Sequence, residues 1–354
     1  LLGSGGPGLD NSNRIMIGVP EDRELYRQEV IRLLNYVNPF TGRKIKDEPC
    51  IIGWQFCNEQ SPQHLAQFSG YEKRVRKSTW DFLRKKWHAW LKNQYRNHFP
   101  LLRKEYGREA AGFSKFEEVP LVNKYTDRTV LARDFQLFTQ SVMDEMFRYY
   151  RETIRTAGYN GPASWGNYDK VLRVTESRRK NNIMTEVNTY HSFYHLNRVP
   201  QLSSIGNALL SFRDAAGSRI LGFPLLVTEY NDNHLNRYSH EFGLTFPAYS
   251  ALQNFSGLFF HNSSVITDRI QAPESFDKTG CHVIATAPMM RAGVFLAACL
   301  YGRGDVSASR HMVVLNYDRN FMKTIRANGY PNAQQTRLAL LSGFGVDFPS
   351  PGRK

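Results

Sequence analysis

Two short apolar runs constrain the fold of this chain more than any other feature, because both end abruptly in a carboxylate. "IIGWQFCNEQ" (51–60) passes from Ile, Trp and Phe into Asn58-Glu59, and "FPLLVTEYND" (223–232) runs into Glu229. A short apolar run that does not alternate with polar residues reads as a strand buried on both faces, the condition of a parallel sheet covered by helices. Further short apolar segments at 161–166, 183–190 and 257–261 have the same character, and helix-like stretches separate them. Strands alternating with helices mean parallel β/α units.

The helical stretches are expected over 21–36, within 62–107, over 132–157, 203–216 and 241–253, and in the apolar stretch 283–302 that Pro288 interrupts. Acids at the start of the first suit the helix dipole, and Gly158 stops the third. The opening "LLGSGGPGLDNSNR" reads as the middle of a loop, and the tail from 306 onward reads as β structure of another kind. In a (β/α)8 barrel the active site gathers where the strands end. Asn58, Glu59 and Glu229 would then sit on the catalytic face, held by buried strands.

Charge and cysteine content narrow the classes. The net charge of +14 is concentrated in residues 71–110, which carry 12 Lys/Arg against 4 Asp/Glu. Aromatic residues interleave with those bases, as they would on a nucleic-acid surface. The spacing of Trp80, Leu83, Trp87, Trp90 and Leu91 instead suits one apolar helix face backed by a solvated basic face, which is the reading adopted. Cys50, Cys57, Cys281 and Cys299 show no metal-ligand spacing and are expected as buried free thiols. No apolar run is long enough to span a bilayer. Location stays open, with a secreted or periplasmic setting favoured over a cytoplasmic one.

Two carboxylates at strand exits are the equipment of glycoside hydrolysis. In the retaining mechanism they stand ~5–5.5 Å apart, one attacking the anomeric carbon and the other serving as acid, then base. A lone Glu after a strand is ordinarily a solvated loop residue, and the pair by itself leaves that reading and the catalytic one evenly balanced.

The pattern resembles clan A of the glycoside hydrolases, most closely the cellulase-like members of family five, over residues 20–306. "CNEQ" resembles the clan's Asn-Glu acid/base at the end of the fourth strand, which implies Asn58 on the substrate 2-hydroxyl and Glu59 as acid/base. "LLVTEYND" resembles the seventh-strand nucleophile, which implies Glu229. "VNTYHSFYH" offers Asn188-x-Tyr190 where the clan has His-x-Tyr. Tyr190 matches the residue that hydrogen-bonds the nucleophile, and His191, Tyr194 and His195 lie nearby. The eighth strand carries Phe259, Phe260 and His261 in place of a Trp platform, and Trp165 after the fifth strand could stack on a sugar. His64 and His234 follow the two glutamates in loops. The clan's second-strand Arg has no counterpart, because the chain would begin after the third strand.

The expectation is therefore an α/β (β/α)8 TIM barrel over 1–305, N-terminally incomplete with strands four to eight, followed by the start of a β-rich segment over 306–354. The expected activity is retaining hydrolysis of a β-glycosidic bond in an oligo- or polysaccharide. Glu59 and Glu229 would be catalytic, and Asn58, Tyr190, Asn188, His191, Trp165, Phe260 and His261 would bind substrate. No metal, organic cofactor, nucleic acid or membrane partner is implied, and oligomeric state is open. The alternative is a catalytically silent, barrel-derived carbohydrate-binding protein.

Overall fold

The structure, a computed structural model, describes residues 7–60, 75–122, 128–168, 170–191, 199–261, 284, 287–325, 329 and 334–349. The chain divides into two units, one comprising residues 1–169, 173–184 and 318–329, the other 170–172, 185–317 and 330–354.

The first unit opens on a helix where a loop was expected. Helix α1 (Pro7–Ile17) forms because Ile15, Met16 and Ile17 bury completely or nearly so, and it stops at Gly18, whose φ of +94° few other residues tolerate. Helix α2 (Pro20–Leu34) follows, with Pro at its first turn and Glu21 and Asp22 at the positive end of its dipole. Strand β1 is short, Trp54–Gln55, and pairs in parallel with β2 (Ala163–Ser164). Ser164 in turn bridges Met184 in parallel.

Helix α3 (Lys77–Gln94) buries Thr79, Leu83, Trp87 and Leu91, one per turn, and leaves its bases outside. The basic stretch is thus an amphipathic helix packed on its apolar stripe. Helix α4 (Phe99–Tyr106) and the long α5 (Val130–Thr156) complete this packing. Thr129 caps α5 by accepting the Ala132 N–H at 3.0 Å. Trp87 meets Phe135 and Phe138 of α5 at ring distances of 5.6 and 5.3 Å. Beside them the fully buried Asp134 accepts hydrogen bonds from Tyr95 Oη at 2.6 Å, Tyr106 Oη at 3.2 Å and Arg133 Nη2 at 2.8 Å. Helix α6 (Leu172–Asn181), which sequence periodicity did not indicate, is mean-polar yet largely buried.

The second unit is built on the parallel sheet β3 (Thr185–His191), β4 (Leu225–Asp232) and β5 (Gly257–Phe260), with β4 in the centre. Helices α7 (Leu210–Ala216) and α8 (Thr245–Leu252) supply Phe212 and Phe246, which close over Val187, Leu225, Val227 and Tyr230 in one apolar cluster. Helix α9 (Pro288–Ala297) starts at the Pro that marked a break and ends in a π-turn, Ala298–Gly302.

The tail does not stand apart. Strand β6 (Met312–Asn316) pairs in parallel with β7 (Gly343–Asp347), and Val346 bridges Ile220. Ala339 and Phe344 belong to the same apolar cluster as Val227, and Gln253 Nε2 donates to the Ala339 and Ser342 carbonyls at 2.7 and 2.6 Å. Helix α10 (Arg319–Thr324) falls in the first unit, where Arg173 Nη2 donates to Ile325 O at 3.0 Å. The contacts are therefore not divided between 305 and 306. Of the expected buried thiols, Cys57 is buried, Cys299 half-buried and Cys50 exposed, all free, while Cys281 lies outside the described residues.

Candidate active site

One candidate carboxylate follows the exit of β1, in the first unit. Asn58 is exposed and Glu59 half-buried. Glu59 takes a φ of +50°, a left-handed conformation that costs a non-glycine residue about 1 kcal/mol and needs its surroundings to hold it. Those surroundings come from the exit of β2. Gly166 N–H donates to Cys57 O at 3.0 Å, and Asn167 Oδ1 accepts the Glu59 N–H at 3.3 Å. Asn167 Nδ2 donates to Asn58 Oδ1 at 3.4 Å. With its oxygen so engaged, the Asn58 amide keeps its NH2 group as a donor. A cavity of about 700 Å3 within this unit is bordered by Asn58, Cys57, Phe56, Gln55 and Trp54 and by residues of α1 and α2.

The second candidate carboxylate lies within β4, in the second unit, and a bulge turns it. Val187 pairs with Val227, but Asn188 pairs with Glu229, so β4 carries one extra residue against β3. The same slip appears against β5, where Val227 pairs with Leu258 and Tyr230 with Phe260. In an unbulged strand Glu229 would share the face of Val227 and point into the apolar cluster. The bulge at Thr228 gives that place to Tyr230, whose hydroxyl donates to Phe242 O at 2.8 Å. Glu229 turns to the other face, where it accepts a hydrogen bond from Tyr190 Oη and is 9% exposed. Asn188, two residues before Tyr190 on β3, shares Tyr190's face and is the register partner of Glu229. The His261 ring meets Tyr190 edge-on with centroids 5.7 Å apart, and Asn231 Nδ2 donates to the His261 carbonyl.

Three expected substrate contacts are corrected. Trp165 is fully buried and packs edge-to-face on Phe147 at 5.7 Å, so it offers no ring face to a sugar. Phe260 packs against Phe242 at 4.8 Å on the helix side of β5, whereas Phe259 is 46% exposed. His191 lies on the opposite face of β3 from Tyr190 and is 7% exposed. Its Nε2 donates to Leu202 O at 2.9 Å, which Asn236 Nδ2 also reaches at 2.8 Å. Asn236 continues to Asp232, the register partner of His191, at 3.3 Å. Burial pushes the Asp232 carboxyl up to about 6 against the opposing pull of His191. His234 is half-buried, and His64, Tyr194 and His195 lie outside the described residues.

Sequence reading missed Asn167 and Arg178. Arg178 is fully buried and donates to Gly166 O at 2.6 Å and Trp165 O at 3.3 Å. The available signal was the echo between "CNE" ending one strand and "WGN" ending the next. Among the described residues no group of three or more His, Cys, Asp or Glu is placed to hold a metal, and no helix is long and apolar enough to cross a membrane.

Residues 20–193 match the glycoside hydrolase 42 family model, described as beta-galactosidase. The narrower expectation of family five has no support from this match. No curated protein sequence matches the chain. Among solved structures, the cold-adapted beta-galactosidase of Rahnella sp. R3 superposes with a TM-score of 0.57 at 15% identity, covering 96% of this chain and 49% of its own. The beta-galactosidase of Bacillus circulans sp. alkalophilus gives 0.55 at 14% identity, covering 93% and 48%. That of Halorubrum lacusprofundi gives 0.55 at 11%, covering 93% and 50%. The chain thus spans about half the length of the solved relatives it matches. Its fold is the α/β, TIM-barrel-like fold of these glycosidases, and its residues 20–193 are the part that is similar to the family-42 model.

Proposed function

We propose that the protein is a retaining β-glycosidase acting on β-galactosides, with Glu229 as nucleophile and Glu59 as general acid/base. The observation that carries this reading is the hydrogen bond from Tyr190 to Glu229, made where a bulge has turned the carboxylate out of the core. The hydroxyl fixes the orientation of that carboxylate on the face away from the apolar cluster, as a nucleophile's geometry requires. The family match and the β-galactosidase neighbours support the same activity and suggest galactose as the glycone.

In this mechanism Glu229 attacks the anomeric carbon as the bond to the leaving oxygen breaks, and Glu59 gives that oxygen its proton. Water then loses a proton to Glu59 and attacks the same carbon, releasing Glu229. The free NH2 group of Asn58 suits the substrate 2-hydroxyl, an interaction that strengthens in the transition state. His261 and Asn188, close to the Tyr190–Glu229 pair, are the remaining candidates for contacts to the sugar.

The test uses the protein at its full natural length. Glu229→Ala should abolish turnover of an aryl β-galactoside, and azide should restore it with an α-galactosyl azide as product. Azide then replaces the nucleophile in a single inverting displacement. A β-azide product would make Glu229 the acid/base, and a wild-type protein that binds galactosides without cleaving them would make it a carbohydrate-binding protein instead.

A further inference from the structure

We infer that Asn167, braced by Arg178, is the positioning residue that aims Glu59 and Asn58, an inference that rests on the proposed role of Glu59. Each end of one buried amide serves one member of the Asn58–Glu59 pair. Its oxygen accepts the Glu59 N–H and its NH2 group donates to the Asn58 side chain. Asn167 is fully buried, so neither end can turn to bulk water instead.

The amide is itself fixed from behind. Arg178 spends donors on the carbonyls of Trp165 and Gly166, the two residues before Asn167. Gly166 holds a φ of +55°, and a Cβ there would fall 2.5 Å from Gln60 O, so the two strand exits approach as closely as backbone allows. Glu59 sits in a left-handed conformation that a glutamate adopts only when its neighbours require it. Asn167 holds the peptide N–H of that strained residue. Without it the backbone can relax out of the left-handed region and carry the carboxyl away from the leaving oxygen. Displacements of this kind cost catalysis heavily although the catalytic group itself is retained. Asn167 touches neither sugar nor leaving group in this account, and acts through Glu59 and Asn58.

An acid misaimed by its support has a signature that general weakening lacks. Departure of a poor leaving group such as phenol needs Glu59's proton, whereas departure of dinitrophenol does not. In the full-length enzyme Asn167→Ala should lower kcat/KM for phenyl β-galactoside by about 10- to 100-fold, part of the ~10²–10⁴-fold worth of general acid catalysis. The value for the 2,4-dinitrophenyl substrate should stay within about threefold, because that step makes no call on the acid. Asn167→Asp keeps the shape and places a second negative charge beside Glu59. It should move the alkaline limb of the kcat/KM profile to higher pH, because a like charge disfavours ionisation of the acid. Glu59→Ala, run in parallel, should discriminate between the two substrates at least as strongly. Equal losses on both substrates for Asn167→Ala, with Glu59→Ala still discriminating, overturn the inference alone. Loss of discrimination in Glu59→Ala overturns the acid/base assignment on which it rests. Should Asn167→Ala fail to melt cooperatively, an unmoved alkaline limb in Asn167→Asp overturns the inference by itself.

Discussion

Tyr190 and Glu229 meet across neighbouring parallel strands, hydroxyl to carboxylate, only because β4 carries one residue more than β3 at that level. If the hydroxyl orients the Glu229 carboxylate for attack, Tyr190→Phe should reduce kcat by about 10- to 100-fold, since hydrogen bonds to carboxylates contribute ~1.5–3 kcal/mol. The protein should remain folded, because the ring stays. Steady-state kinetics beside a thermal melt read both parts. Unchanged turnover would remove Tyr190 from the site.

The bulge itself can be tested by length. Deleting Thr228 removes the extra residue, so Val227, Glu229 and Tyr230 alternate regularly and keep the faces they hold in the bulged strand, with Tyr230 still bonded to Phe242. The deletion variant should therefore still melt cooperatively. Thr228→Ala, which keeps the register and gives up only a 3.5 Å contact to Val187 O, should lower stability by no more than about 1 kcal/mol. A deletion variant without a cooperative melt would show that the strand needs Thr228 for more than the facing of Glu229.

Asp232 makes stability depend on pH in a direction opposite to that of most carboxylates. Burial first, with added repulsion from Glu241, raises it from 3.8 to about 6, while His191 and the Asn236 and Asn233 hydrogen bonds pull the other way. The folded chain therefore holds a proton that the unfolded chain has already lost. Its stabilising contribution is complete below 3.8 and disappears as pH rises through about 6. Asp232→Asn carries a neutral amide throughout. The stability of the wild type relative to Asp232→Asn should fall steadily across that window in urea titrations. A difference that is flat with pH, or that grows, would refute the raised value.

A purely structural prediction concerns Asp134. Tyr95, Tyr106 and Arg133 all donate to this fully buried carboxylate. Asp134→Ala strips three buried donors of their acceptor and leaves Arg133 with Glu105 as its remaining ion-pair partner. The first unit should lose about 3 kcal/mol, the scale of breaking a buried ion pair. Its melting transition should drop accordingly. A loss below about 1 kcal/mol would mean that water takes over the carboxylate's bonds.

Patterns local in sequence told much of this in advance. Unbroken apolar runs mark strands covered on both faces, so β3, β4 and β5 lie within a few residues of the expected 183–190, 224–229 and 257–261. One buried position per turn in α3, with Leu83, Trp87 and Leu91 among them, follows the apolar helix face that the spacing predicted. The expected strand ends held only in part, since β1 closes four residues before Glu59 while β4 runs on past Glu229 to Asp232, and the bulge rather than a strand end turns that carboxylate.

Tertiary structure alone decided the rest. Strand alternation predicts the face of every residue after a given one, but an inserted residue inverts that assignment, and nothing in "LLVTEYND" marks Thr228 as the insertion. Phe260, His191 and Trp165 were placed toward the sugar on residue type, whereas their faces depend on what packs against each strand. The opening helix α1 was missed because its glycine-rich approach weighs against a helix locally, while Ile15, Met16 and Ile17 gain more by burial than the glycines cost. Asn167 had only the faint echo of "CNE" in "WGN" as a local signature, and Arg178 had none. Their importance comes from two strand exits, over a hundred residues apart in sequence, approaching closely enough for one amide to hold the other's backbone.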